Sequence, residues 1–301
     1  MLTNERSAPM HVSPVVASWE LSLRLRQRRE QLGIDTQTIV KKAKLSRGYW
    51  VLIEGDRRIP AEDKLQALMD LFEFDAEEQA ELLALRAAAK GRGWWARYSA
   101  LFGPELLRLY GMEDGAQRIR TYESVLMPGL LQSEEYVRAL MVTGVATVLP
   151  VEVEQRVEVR MRRQQRLEGD NPLHLSALIG EAALVQQIGG PHTLQRQLLH
   201  LADVIESHPE TIVVRLMPFT ATERSIFSGA TFHLLDFANP RLPTLAWHES
   251  TVMGELLEDR DKDTRVRDLG VIHDRAMAQA MSREATLDRI RAITGQIQST
   301  L

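Results

Sequence analysis

Ser46-Arg47-Gly48-Tyr49-Trp50, preceded by Thr36-Gln37 and followed by Arg57-Arg58, gathers groups suited to nucleic-acid edges on one short stretch. A guanidinium can make two parallel hydrogen bonds to a guanine edge or hold a phosphate, while hydroxyls and amides hold phosphate oxygens. Sequence leaves both roles open for Arg47. A second set lies far downstream: Arg160, Arg163, Glu181 and His248-Glu249. In one cleft, these could perform acid-base chemistry or grip a polar ligand. The reading favoured over a ligand site is that Glu181 or Glu249 pairs with an arginine to fasten a helix to the sheet. None of the eight histidines stands at metal-ligand spacing from another, and the chain has no cysteine. It also lacks a phosphate-cradling glycine loop and a serine nucleophile motif. The expectation is therefore a binding protein, not an enzyme, with no metal or cofactor.

The first set needs short helices to position it. Ser18 to Leu32 places Leu21, Leu25 and Leu32 on one helical face, and Gly33 ends that helix. Asp35 can cap a second helix with Ile39, Val40 and Ala43 inward and Lys41 and Lys42 toward solvent. Ser46 can cap a third, in which Tyr49, Trp50 and Ile53 share helical spacing before Glu54-Gly55-Asp56. Pro60 stands near the start of a fourth, whose Leu65, Leu68, Met69 and Phe72 close a small core. Ser18 to Pro60 carries ten Lys/Arg against five acids, net +5 in a chain of net charge -4, so positive charge concentrates where a polyphosphate would be held.

LRQRREQLGIDTQTIVKKAKLSRGYWVLIEGDRRIP resembles the XRE family of helix-turn-helix regulators, which share the lambda-repressor fold. The resemblance implies that Ser46 to Ile53 is a recognition helix entering the major groove, with Ser46, Arg47, Gly48 and Tyr49 nearest to DNA. Family members often carry glutamine where this chain has Thr36, and Gln37 lies one position later. They often carry polar or basic residues where it has Val51 and Leu52.

At 301 residues, 44% hydrophobic and 26% charged, the chain can hold two domains, each with its own core. No apolar run reaches membrane-helix length and the N-terminus lacks a signal-peptide core, so a cytoplasmic protein is expected, nucleoid-associated when on DNA. Residues 1–17 read as a mobile arm, 18–90 as the DNA-binding domain with a fifth helix capped at Asp75, and 91–111 as an aromatic linker. Trp94-Trp95 and Tyr98 there could stack on bases or dock one domain on another.

Residues 112–301 read as a regulatory, partner-binding and dimerisation domain. A helix follows Ser133, and Pro150 opens a longer one with Val153, Val157, Met161 and Leu167 on its apolar stripe and arginines around the rest. Ile119 to Tyr122 is a short extended piece. Further strand candidates are Leu173–Ile179, Thr211–Met217, Ala230–Phe237, Thr244–Glu249 and Val252–Leu257. An amphipathic helix between the first two of these fits a crossover in a mixed sheet. Two terminal helices, Lys262–Ala280 and Ser282–Gln298, complete the domain. Leu287, Ile290, Ile293 and Ile297 on the last could pack at home or across a dimer.

RIRTYESVLMPGLLQSEEYVRAL, GEAALVQQIGG, FSGATFHLLDF and HESTVMGELLED resemble the C-terminal domain of two-domain actinobacterial XRE regulators related to WhiJ. The fold expected is an all-α lambda-repressor-like helix-turn-helix domain followed by an α+β domain with a mixed sheet. The resemblance implies a transcriptional regulator acting with a small partner protein encoded nearby. One recognition helix reads few base pairs, so a homodimer on a two-fold operator is expected. The second domain would receive a signal, from a small molecule or from that partner. The alternative is an antitoxin-like protein that holds its partner and binds DNA for autoregulation. An enzyme built on Glu181, His248 and Glu249 is the remotest reading.

Overall fold

Side-chain caps set the starts of the first helices. The Asp35 carboxylate accepts the Thr38 N–H at 2.7 Å, and Ser46 Oγ accepts the Tyr49 N–H at 3.1 Å. Asp75 and Glu78 form a reciprocal capping box at 2.8 and 3.2 Å. In this computed structural model, residues 13–143, 148–221, 231–249, 254–259 and 263–300 are described. The chain divides into two units, residues 1–97 and 98–301.

The first unit comprises α1 (Pro14–Gln31), α2 (Thr36–Lys42), α3 (Arg47–Glu54), α4 (Glu62–Leu71) and α5 (Ala76–Ala89). Gly33 leaves α1 with φ +63, a left-handed conformation that favours glycine. The helix begins earlier than the sequence suggests. Pro14 presets its first turn, and Val16 and Ala17 are buried, so residues 14–17 are helix and not arm. The remainder of the expected arm, residues 1–12, lies outside the described residues.

Leu21, Leu25, Ile39, Ile53, Leu65, Leu68, Met69 and Phe72 form the core of this unit around Trp50. Trp50 is 0% exposed and meets the Phe72 ring edge-on at 5.8 Å. This corrects its place among the DNA-contacting candidates: Trp50 holds α3 down and cannot reach a base.

The division at Arg97/Tyr98 falls inside the aromatic stretch. Trp95 and Tyr98 are buried, with Trp94 edge-on to Trp95 at 5.8 Å, so those two side chains are not an open stacking platform. α6 (Pro104–Gly115) already belongs to the second unit, so residues 104–111 are helix and not linker.

The second unit continues with β1 (Arg118–Glu123), α7 (Glu134–Thr143), α8 (Val153–Gln164), β2 (His174–Gly180), α9 (Pro191–Ser207) and β3 (Ile212–Met217). Then come β4 (Thr231–Asp236), β5 (Leu245–Glu249), β6 (Gly254–Glu258), α10 (Arg265–Gln279) and α11 (Arg283–Thr300). The sheet order is β3-β2-β1-β4-β5-β6. β1, β2 and β3 pair in parallel, with α9 the crossover between β2 and β3, while β4, β5 and β6 add antiparallel. The result is the α+β domain with a mixed sheet that the strand and helix pattern suggests. The start of the last expected strand, at Val252, lies outside the described residues.

Strand alternation gives the sheet two faces. Tyr122, Phe232, Leu234 and Ala246 cluster with Val266 and Ala276 of α10. The opposite face carries Ile119, Thr121 and Glu123. Leu287, Ile290 and Ile293 of α11 are buried within the unit, where α11 packs on α9 and β3, so that stripe packs at home. Among the described residues no helix is long and apolar enough to cross a membrane.

Replacing Trp50 by alanine should destabilise the first unit by about 3–5 kcal/mol through the cavity it leaves. Urea denaturation followed by far-UV circular dichroism would measure this. A loss below about 1 kcal/mol, closer to the effect of a surface substitution, would contradict the central role of this ring.

Candidate DNA interface and candidate ligand cavity

The first unit sorts its cations into two groups. Arg24 pairs with Glu81 at 2.7 Å, and Arg29 pairs with Glu54 at 2.6 Å. Arg28 donates to the carbonyls of Phe72 and Glu73, at 3.0 and 2.7 Å, where α4 ends. These three arginines brace helices, so only part of the basic excess of residues 18–60 is left for a polyphosphate.

Lys41, Lys42, Lys44, Arg47, Arg57 and Arg58 are exposed on α2, α3 and the turns that follow them. Among the described residues no carboxylate stands within ion-pair distance of Lys41, Lys42, Lys44, Arg47 or Arg57. Arg58 lies over the Tyr49 ring at 5.2 Å, and the Tyr49 hydroxyl accepts the Ala61 N–H at 3.1 Å. Tyr49 is thus held by the fold, half-buried. Thr36 is half-buried, while Gln37, Ser46, Arg47 and Gly48 are exposed. A Cβ at Gly48 would meet nothing within 4 Å, so bare backbone lies beside Arg47. Val51, one turn after Arg47, is 55% exposed.

In the second unit, residues of α6, β1, the loop after β1, α7, α8, β2, β4 and β5 line a partly open cavity of about 650 Å³. Register builds its polar floor: Thr121 pairs with His233, which pairs with Trp247, and Thr231 pairs with Glu249. Thr121 Oγ1 lies 2.7 Å from His233 Nδ1, and the Thr231 hydroxyl donates to Glu123 Oε2 at 2.8 Å. Burial pushes the Glu123 carboxyl up to about 8, although the Thr231 hydrogen bond opposes this. Burial likewise pushes His233 down to about 4. Both groups are therefore neutral at pH 7.

α8 supplies two arginines three residues apart. Arg163 donates from Nε and Nη2 to the two Glu113 oxygens at 2.7 and 2.8 Å and lies over the Tyr110 ring at 4.9 Å. Burial opposes the Arg163 charge, but the Glu113 carboxylate outweighs it and holds the guanidinium more firmly protonated than usual. Arg160 differs. Burial, and then the charge of Arg163, push it below the ordinary arginine value, and no carboxylate lies within ion-pair distance among the described residues. A Cβ at Gly129 would stand 2.2 Å from Arg160 Nη1, so the glycine makes room for the guanidinium.

The cavity lining includes Arg160, Arg163, His248 and Glu249. His248 alternates to the other sheet face, opposite Phe232, and Glu249 accepts the Trp247 indole N–H at 3.3 Å. Glu181 does not join them. Its Oε2 accepts the Phe219 N–H at 2.7 Å and its Oε1 meets Arg289 Nη2 at 2.6 Å, fastening α11 near the end of β3. For Glu181 this is the ion-pair reading and not the ligand reading, and it separates Glu181 from His248 and Glu249. Sequence reading missed Glu113, Glu123 and His233. Ending the first strand at Tyr122 hid the alternation that sets Thr121 and Glu123 on one face.

Removing Arg163 strands the buried Glu113 carboxylate. Arg163→Met should cost about 3–5 kcal/mol, and Glu113→Leu in the same chain should recover most of it. Urea titrations of the single and double variants decide this, and additive losses would contradict the pairing.

The raised Glu123 has a defined pH signature. Between about 4.5 and about 8 the unfolded chain releases a proton that the folded carboxyl keeps, so this group's stabilisation is lost as pH rises through that window. Glu123→Gln should flatten this part of the curve of Tm against pH and be the more stable form at its alkaline end. Parallel curves for the two proteins would refute the shift.

Residues 20–82 match the family described as helix-turn-helix domain, in agreement with the α2–α3 geometry. Residues 106–292, well over half of the chain, match the family described as domain of unknown function (DUF5753), which spans the sheet and its cavity. No curated protein and no solved structure matches the chain. The chain belongs to the DUF5753 family and joins that domain to an N-terminal helix-turn-helix domain, the two-domain build of a DNA-binding regulator.

Proposed function

We propose that the chain is a sequence-specific transcriptional regulator of the XRE type related to WhiJ, binding an operator as a homodimer and receiving a small-molecule signal in its second domain. The observation that carries the DNA half is the exposed Ser46-Arg47-Gly48 start of α3, beside Lys41, Lys42 and Lys44, which meet no carboxylate within ion-pair distance among the described residues. Bare backbone at Gly48 allows close approach to the duplex, and Val51 offers an apolar contact for a thymine methyl group. Gln37, Thr36, Arg57 and Arg58 flank this start and are suited to phosphates. Dimerisation rests on the half-site argument, since one such helix reads too few base pairs for useful specificity.

Signal reception rests on the cavity, whose volume of about 650 Å³ suits a small ligand. We take it to bind and not to turn over its ligand, because the Glu113 carboxylate and the Arg163 guanidinium engage each other. The second reading, an antitoxin-like protein that holds a small partner and autoregulates, is favoured by the resemblance to WhiJ-related regulators.

Fluorescence anisotropy with DNA from upstream of the chain's own gene, against a scrambled duplex at two salt concentrations, tests the DNA reading. Preferential binding with a steep salt slope is expected. If Arg47 reads a base, Arg47→Ala should cost about 1–3 kcal/mol and relax preference at one position. If it holds a phosphate, it should weaken all duplexes alike and lower the salt slope by about 1. Wild-type affinity in the variant would overturn the assignment.

A further inference from the structure

We infer that the cavity takes a small monocarboxylate with an apolar body, its carboxylate seated on Arg160. This rests on the small-molecule reading above and deepens it.

Among the described residues, no carboxylate stands within ion-pair distance of Arg160, which lines the cavity. Its neighbour on α8, Arg163, uses two donors on the two oxygens of Glu113. Glu123 stands beyond ion-pair distance of Arg160 and accepts the Thr231 hydroxyl instead. Glu249 acts on Arg160 from beyond ion-pair distance and accepts the Trp247 indole. Desolvating a guanidinium without a partner is costly, and here a glycine at 129 makes space for that guanidinium beside the cavity. A planar guanidinium is matched by a carboxylate, which can accept two parallel hydrogen bonds.

The remaining lining argues for one negative charge and an apolar remainder. A phosphate with two charges would call for a second uncommitted cation, and Arg163 is committed. Leu109, Ile119, Leu126, Met127 and Leu130 form an apolar wall that an alkyl or aryl body would cover.

The test uses the full-length protein in thermal-shift and calorimetric titrations at constant ionic strength. The probes are octanoate and 3-phenylpropionate, their primary amides and alcohols, and inorganic phosphate. Both acids are expected to raise Tm with concentration, and the amides and alcohols to bind about tenfold or more weakly, the loss of one charge-assisted contact. Arg160→Met should abolish the preference for acid over amide while the free protein melts close to the wild-type temperature, because the half-buried guanidinium it removes meets no carboxylate within ion-pair distance among the described residues. Gly129→Ala keeps the charge but displaces the guanidinium, and should weaken the acids with little change in the fold.

Equal binding of acids and amides would overturn the carboxylate assignment and leave the small-molecule reading standing. Preference for phosphate would overturn it in the same way. Unchanged acid binding by Arg160→Met, with a lowered melting temperature, would make Arg160 a structural residue. If no probe binds, the carboxylate assignment fails and the small-molecule reading loses its support.

Discussion

The second domain depends on the ion pair between Arg163 of α8 and Glu113 of α6, both oxygens of one engaged by two nitrogens of the other. Two desolvated charges tolerate little displacement, so this contact sets the distance between two helices that wall the cavity. The Tyr110 ring under the guanidinium limits its remaining freedom. With Arg163 committed, its neighbour Arg160 becomes the chemically distinct group. One arginine is structural and the other faces an open volume, although they lie within one turn of a single helix.

The first domain divides its charge by a similar logic. Arg24 and Arg29 meet carboxylates, Arg28 closes the end of α4, and six exposed cations, Lys41, Lys42, Lys44, Arg47, Arg57 and Arg58, lie on α2, α3 and the turns after them. A net charge counted over the stretch cannot make that separation, because it depends on which carbonyl or carboxylate the fold brings within reach. Burial of Trp50 sets the pose of α3, and with it the residues that remain on its outer face. Trp50 and Arg47 lie on the same short helix, one buried as its anchor and the other exposed on its outer face.

Much of the helix-turn-helix was legible because its determinants are local. Asp35, Ser46 and Asp75 cap helices through N–H groups three residues away. Gly33 supplies the left-handed residue after α1, and apolar spacing marks the inward face of each helix. Strand candidates were equally visible as short β-branched and aromatic runs, and the crossover helix between β2 and β3 followed from its own periodicity. The start of α1 was misplaced because the proline that sets its first turn reads as a breaker until burial of Val16 and Ala17 is known.

By itself the sequence determined two domains, the caps and faces of the helices, a mixed sheet and the basic character of the α2–α3 region. Tertiary structure alone decided which ionisable groups meet. Glu113 and Arg163 are 50 residues apart, and Glu123 and Thr231 are 108 apart. Their meeting depends on strand order and register, and a one-residue change of register would turn each side chain to the other face. Glu181 shows the same dependence, fastened to Arg289 rather than gathered with His248 and Glu249. The physical reason is range: caps and periodicity act over three or four residues, whereas ion pairing and desolvation act through space between segments that chain order does not bring together.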